Sequence, residues 1–340
     1  MSIKISSIQG ISAMSTNTIN RWLRTNPDTD RNPLSFVFLP HTFQGTVAGY
    51  TSGGAVGVDK FPFATNANAT DVGNLSVERS GVASQSSELR GYTSGGYGSN
   101  VIDKFPFASD GNATDVGDLT FGRYGVAGQS NGDVNGYTSG GQLPGFASPT
   151  NVIDKFPFAA DANATDVGDI SISRRSTAGH SSTASGYTSG GRRAATTPTP
   201  NNYTNTIDKF SFASNSNATS VGSLTALRIY VVGQSSNVSG YTCGGYTRRS
   251  PQVPNALAPI SVSAVIQKFP FATDASATDV GNLTVARTYG AGQSSTASGY
   301  TSGGSPSYNV IDKFPFASDA NATDVGDLSS ARAGTAGQQD

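Results

Sequence analysis

From Gly49 onward the apolar positions come in brief runs separated by turn residues, and the runs repeat. "IDKFPFA" (311–317) sets Phe314 and Phe316 two apart, the period of a strand with one buried face. "TDVGDL" (323–328) predicts a briefer strand carrying Val325 and Leu328, and "SDANAT" between them predicts a compact turn in which Asx side chains bond the local backbone. "GYTSGG" and "GVAGQS" predict strands of small residues. Each unit therefore holds four short strands.

The copies keep strict time. GYTSGG begins at Gly49, Gly91, Gly136, Gly186, Gly240 (as GYTCGG) and Gly299. DKFPF begins at Asp59, Asp103, Asp154, Asp208 (as DKFSF), Gln267 (as QKFPF) and Asp312. Six residues beyond the TDVG glycine stands an arginine: Arg79, Arg123, Arg174, Arg228, Arg287 or Arg332. Six further on stands Gln85, Gln129, His180, Gln234, Gln293 or Gln338. Four strands repeated six times predict an all-β, six-bladed β-propeller. The first copy begins at its second strand and the last ends on a first strand. Ala333–Gln339 is therefore expected to pair beside Gly49–Ser52 and close the ring, leaving no free sheet edge. The alternative strand donor, "LSFVFLP" (34–40), fits the Arg and Gln spacing badly.

The double glycine (Gly95, Gly96), the spaced aromatics (Phe105, Phe107) and the closing Arg resemble kelch repeats over residues 49–340. The fourth strand departs from that family in lacking its Trp, with Val116 and Leu119 there instead. The resemblance implies the kelch-like propeller fold; kelch functions vary too widely to be carried over.

The copies differ mainly in one interval. Between the double glycine and DKFPF they hold 4, 6, 12, 16, 21 and 7 residues. In a four-stranded blade this loop joins the second and third strands and shares a face with the linker between blades. Insertions on one face of a rigid ring point to a recognition surface; neutral drift in exposed loops is the competing account. The loops carry Arg192, Arg193, Tyr203, Tyr246, Arg248 and Arg249, with Phe146 in the third copy. Arg beside Tyr suits sugar rings and anionic groups, while plain solubilising charge is the bland reading. These seven residues are the candidate ligand or partner contacts.

Charge and rare residues narrow the chemistry. With 22 Lys+Arg against 23 Asp+Glu there is no basic excess for nucleic acid. No run approaches the roughly 18 apolar residues of a membrane span, so no membrane insertion is expected. Cys243 is the only cysteine, and His41 and His180 the only histidines. That is too poor a ligand supply for a copper oxidase of the galactose-oxidase kind. His180 takes a position that is Gln in five copies, which argues for a structural role rather than a Ser-His-Asp site. The six arginines occupy equivalent positions and read as structural rather than as a sialidase cluster. "DxNxxD" (Asp110, Asn112, Asp115) resembles calcium-ligand spacing, but the fourth copy keeps the motif spacing without carboxylates, so Asx-turn geometry explains it and no cofactor is expected. The Gln/His series either binds a small polar ligand or orders water; sequence does not decide its facing.

Residues 1–47 lie outside the repeat, the propeller spanning 48–340. A short helix is expected at about 16–24, with Ile19, Trp22 and Leu23 on one face as docking residues, and a strand at about 34–40. The arm docks either on a partner or on its own propeller. The near-verbatim repeats are also similar to repeats in virion proteins of marine tailed bacteriophages, and no secretory signal is evident. That resemblance implies a non-enzymatic virion component in a tail, fibre or capsid-surface position, assembled in the host cytoplasm. Its partners would be other virion proteins and a host surface polysaccharide. The alternatives are an intracellular kelch scaffold and, less favoured, a glycan-processing enzyme.

Overall fold

The computed structural model describes residues 43–145, 148–194, 202–248 and 260–340. The helix expected at 16–24, the strand at 34–40 and the residues Ile19, Trp22, Leu23, Phe146 and Arg249 lie outside the described residues. The chain divides into Met1–Pro40 and His41–Asp340, and the second unit carries every strand described below.

Among the described residues there is no helix; the strands form six four-stranded antiparallel sheets and one of three strands. The second sheet sets the pattern, with Ala83–Ser86, Arg90–Ser94, Val101–Pro106 and Thr114–Asp118 side by side in chain order. The first sheet takes its first strand from the end of the chain. Thr335–Gln339 pairs antiparallel with Ala48–Gly53, Gly49 opposite Gln339 and Gly53 opposite Thr335, as the spacing predicts. Residues 43–47, left to the arm by the repeat spacing, join the sheets: Gly45 bridges Ser295, and the Thr46 N–H donates to the Asp340 carbonyl at 2.6 Å.

The repeated phrase explains itself locally. Gly91 lies beneath the Phe105 ring of the neighbouring strand, where a Cβ would come within 2.4 Å of the ring. The register of the third and fourth strands slips between Ile102 and Asp103. That bulge breaks the alternation, so two consecutive side chains are both fully buried, one apolar and one charged. Pro106 ends its strand, where its missing N–H costs no ladder bond.

Successive sheets are joined by three recurring contacts, though one junction lacks the ion pair. Tyr50 stacks on Phe107 of the next sheet at 4.8 Å and leans on Phe105 at 5.6 Å. The equivalent stacks are Tyr92 on Phe158, Tyr137 on Phe212, Tyr187 on Phe271 and Tyr241 on Phe316, and Tyr300 of the sixth sheet stacks on Phe63 of the first. Each pair adds about 0.5–1.5 kcal/mol beyond its buried area. A buried ion pair lies beside them: Arg123 meets Asp154 at 3.0 Å, and the Thr120 N–H from the preceding sheet donates to the same carboxylate at 2.9 Å. The Asx turn reaches back similarly, with Asn112 Oδ1 accepting from the Asn74 N–H at 3.0 Å.

Candidate ligand-binding face

The first strands of the six sheets run edge against edge. A Cβ on Gly128 would stand 2.0 Å from the Ser84 carbonyl, and one on Gly179 would stand 2.1 Å from the Gly128 carbonyl. At one end they enclose a channel mouth of only about 50 Å³, lined by glycine, serine, Phe43 and four of the Gln/His series, Gln85, Gln129, His180 and Gln234. Gln85 Nε2 lies within hydrogen-bond distance of Ser94 Oγ in its own sheet and of the Tyr137 carbonyl (2.8 Å) and Thr138 Oγ1 in the next, its two N–H groups shared among the three. Gln129 and Gln293 do likewise, and Gln338 bonds Ser52, Tyr92 and Thr93 in the same way. These amide nitrogens are thus used in joining sheets.

His180 substitutes for one of them. Its Nδ1 donates to the Gln234 carbonyl at 3.1 Å, so Nε2 is left to accept from Ser189 Oγ at 2.9 Å. Complete burial pushes its pKa down to about 4, the carbonyl bond opposing only in part. Cys243 donates to Gln234 Oε1 at 3.1 Å, and burial pushes its thiol up to about 12, away from reactivity.

The repeat arginines are occupied too. Arg79, Arg123, Arg174, Arg287 and Arg332 each meet the buried aspartate that opens DKFPF. Arg228, whose copy has Gln267 in place of that aspartate, keeps the bonds to the Gly244 and Val265 carbonyls at 2.9 and 3.2 Å that Arg287 makes to Gly303 and Val310. The calcium-like run is dispersed: Asp110 meets Lys60, Asn112 meets Asn74, and Asp115 accepts from the Gly117 N–H. No cluster of metal-ligating side chains occurs among the described residues.

What is not repeated gathers on one face, around the starts of the first strands. The opposite mouth of the channel is crossed by Phe43 and Gln44, whose Nε2 donates to the Ser295 carbonyl at 2.9 Å. Two residues after each repeat arginine the chain enters the left-handed region: Gly81, Gly125, Ser176, Tyr230, Tyr289 and Gly334, with φ between 56° and 75°. Their backbones form a circuit. Gly125 donates to Gly81, Ser176 to Gly125, Tyr230 to Ser176, Tyr289 to Tyr230, Gly334 to Tyr289 and Gly81 to Gly334, at 2.6–3.2 Å. Left-handed φ suits glycine, and for tyrosine it costs of order 1–3 kcal/mol.

Those two tyrosines stack on each other at 3.8 Å, and Tyr246 from the longest loop meets Tyr230 edge-on at 6.0 Å. Burial, then the hydrogen bond with Tyr230, raises the Tyr289 pKa far above the usual phenol range, so it stays a neutral hydroxyl. Across the face, Arg175 lies over the Tyr124 ring at 5.8 Å and donates to its hydroxyl at 3.0 Å, while Tyr97 leans on Tyr124 at 5.0 Å.

The variable loops continue this face by pairing with the linkers. Gln142 bridges Tyr124, Arg192 bridges Arg175, and Ser305 bridges Thr288. The longest loop makes the small sheet, in which Tyr246–Arg248 pairs with both Leu227–Ile229 and Ile260–Val262. Of the residues expected from sequence, Arg192, Tyr203 and Arg248 come together: Arg192 bridges Tyr203, and Arg248 covers the Tyr203 ring at 5.0 Å. Tyr203 is only 7% exposed and is therefore packing beneath the loops rather than a displayed ring. Arg193 is exposed.

Sequence reasoning missed Tyr124, Arg175, Tyr230 and Tyr289. A signal for the last two exists, because aligned copies read Gly, Gly, Ser, Tyr, Tyr, Gly at that position. No family model matches the chain and no curated protein matches it, so neither comparison links it to kelch repeats or to virion proteins.

Proposed function

We propose that the chain is a six-bladed, kelch-like β-propeller serving as a non-enzymatic recognition module that presents one face to a surface glycan. The propeller reading is supported by six like sheets, six equivalent Tyr–Phe contacts and a backbone circuit that returns to its start. The observation that carries the glycan reading is the concentration of unrepeated residues. Insertions, tyrosines and arginines converge on one face, while the repeated Gln, Arg and Asx side chains are engaged in holding sheets together. The resemblance of the repeats to those of tailed-phage virion proteins is the ground for assigning such a module to a virion, beside other virion proteins.

A glycan array tests the reading. Wild type is expected to bind a defined subset of saccharides, and shortening loops 192–207 and 246–266 is expected to reduce that binding at least tenfold. Retention of full binding by the shortened chain, or its absence from purified particles, sinks the corresponding half of the proposal.

A protein-docking role also has an observation in its favour. Val47, Leu89, Val134 and Val238 occupy equivalent turns on the opposite face and are 56–70% exposed, an apolar ring suited to a neighbouring virion protein. Docking without any glycan binding would favour that role.

A further inference from the structure

At the axis the linkers leave a cup of about 120 Å³ whose two halves differ. Tyr230 and Tyr289 stand side by side in the circuit; opposite them Gly334, Gly81 and Gly125 present bare backbone. Val82, Val126 and Val231 contribute apolar lining. One half thus supplies aromatic surface and hydroxyls, and the other only glycine backbone.

Closing the circuit does not require the tyrosines, since three copies close it with glycine and one with Ser176. Two bulky residues held in a disfavoured conformation at the one place where six linkers meet point to a ligand. The charge around them gives its sign. Arg175 sits at the rim against Tyr124, Arg192 is bridged to it, and the six variable loops contain no Asp or Glu. In the six linkers the only carboxylate is Glu78. Aromatic faces take the C–H side of a sugar ring, and guanidinium groups take carboxylates in a bidentate grip.

We propose that this cup is a subsite for a single carboxylated pyranose of an acidic polysaccharide, its ring against the Tyr230–Tyr289 pair and its carboxylate facing Arg175. The proposal rests on the glycan reading of this face and narrows it to a sugar class and a place.

Calorimetric titration of the full chain tests it, with uronic-acid and N-acetylneuraminic-acid oligosaccharides beside their carboxyl-reduced counterparts. Wild type is expected to bind a carboxylated probe at least tenfold more tightly than its reduced form, and Arg175→Gln to remove most of that preference. Tyr230→Gly and Tyr289→Gly are expected to weaken binding at least tenfold while melting at or above the wild-type temperature, because glycine suits this φ. That combination separates loss of a ligand contact from loss of fold. If the glycine variants bind like wild type while shortened loops do not, the cup is wrong and the glycan reading stands. Equal affinity for the reduced probes overturns the acidic-sugar assignment. If wild type binds no saccharide, the cup and the glycan reading fall together.

Discussion

His180 shows what one substitution in a repeated network does. It is neutral and fully buried in the fold, with its pKa lowered to about 4 against 6.5 for a free imidazole. Above about pH 6.5 neither state is protonated and its contribution is whole. As pH falls from 6.5 toward 4 the unfolded chain takes up the proton first, so stability falls; below about 4 the loss levels off. The loss is a few kcal/mol at most. His180→Gln restores the amide found in the sister copies, and its melting temperature is expected to fall less than that of wild type between pH 7 and pH 4.5. Parallel pH profiles would refute this account. The buried ion pairs work at the same scale. Arg123 and Asp154 are both inaccessible to solvent, so Asp154→Ala strands a guanidinium and is expected to cost about 3–5 kcal/mol by chemical denaturation. A loss below 1 kcal/mol would show that water reaches the site.

At the scale of elements, the most consequential strand is Thr335–Gln339, which fills the place that chain order leaves empty in the first sheet. It also carries Gln338, whose amide joins the first and second sheets through Ser52, Tyr92 and Thr93. Removing residues 333–340 exposes a ladder edge and breaks the backbone circuit at Gly334. A fall of at least 10 °C in Tm, or a broadened transition, is expected by calorimetry. An unchanged transition would mean that each sheet is stable without its neighbours. The four-strand unit was legible because Phe105 and Phe107 keep a period of two and the Asx turn is unmistakable in composition. The small sheet built by Tyr246–Arg248 was not legible, since three residues carry too little periodicity to be distinguished from loop.

Across the whole molecule, sameness and difference divide the labour. Equivalent residues meet at every sheet junction, so the Tyr, Phe, Gln and Asn of each copy are constrained alike and vary little. Loops joining second to third strands, and residues two beyond the arginines, are released from that constraint and collect on one face. The Gln/His series was ambiguous from sequence because its facing depends on how tightly six first strands converge. With Gly128 and Gly179 in near contact with neighbouring strands, the amides are directed to bonds across the junctions.

The sequence by itself determined the number of units, their four strands, the turn between the last two and the pairing of the C-terminal strand. Each of these follows from local periodicity, turn chemistry or counting. Only the tertiary structure decided which residues meet at the axis. Tyr124, Arg175, Tyr230 and Tyr289 come from four different linkers, more than 100 residues apart at the extremes, and no local rule joins them. Tyr203 moved from candidate contact to buried packing for the same reason: exposure depends on what folds over a residue, and here Arg248 of the next loop does so.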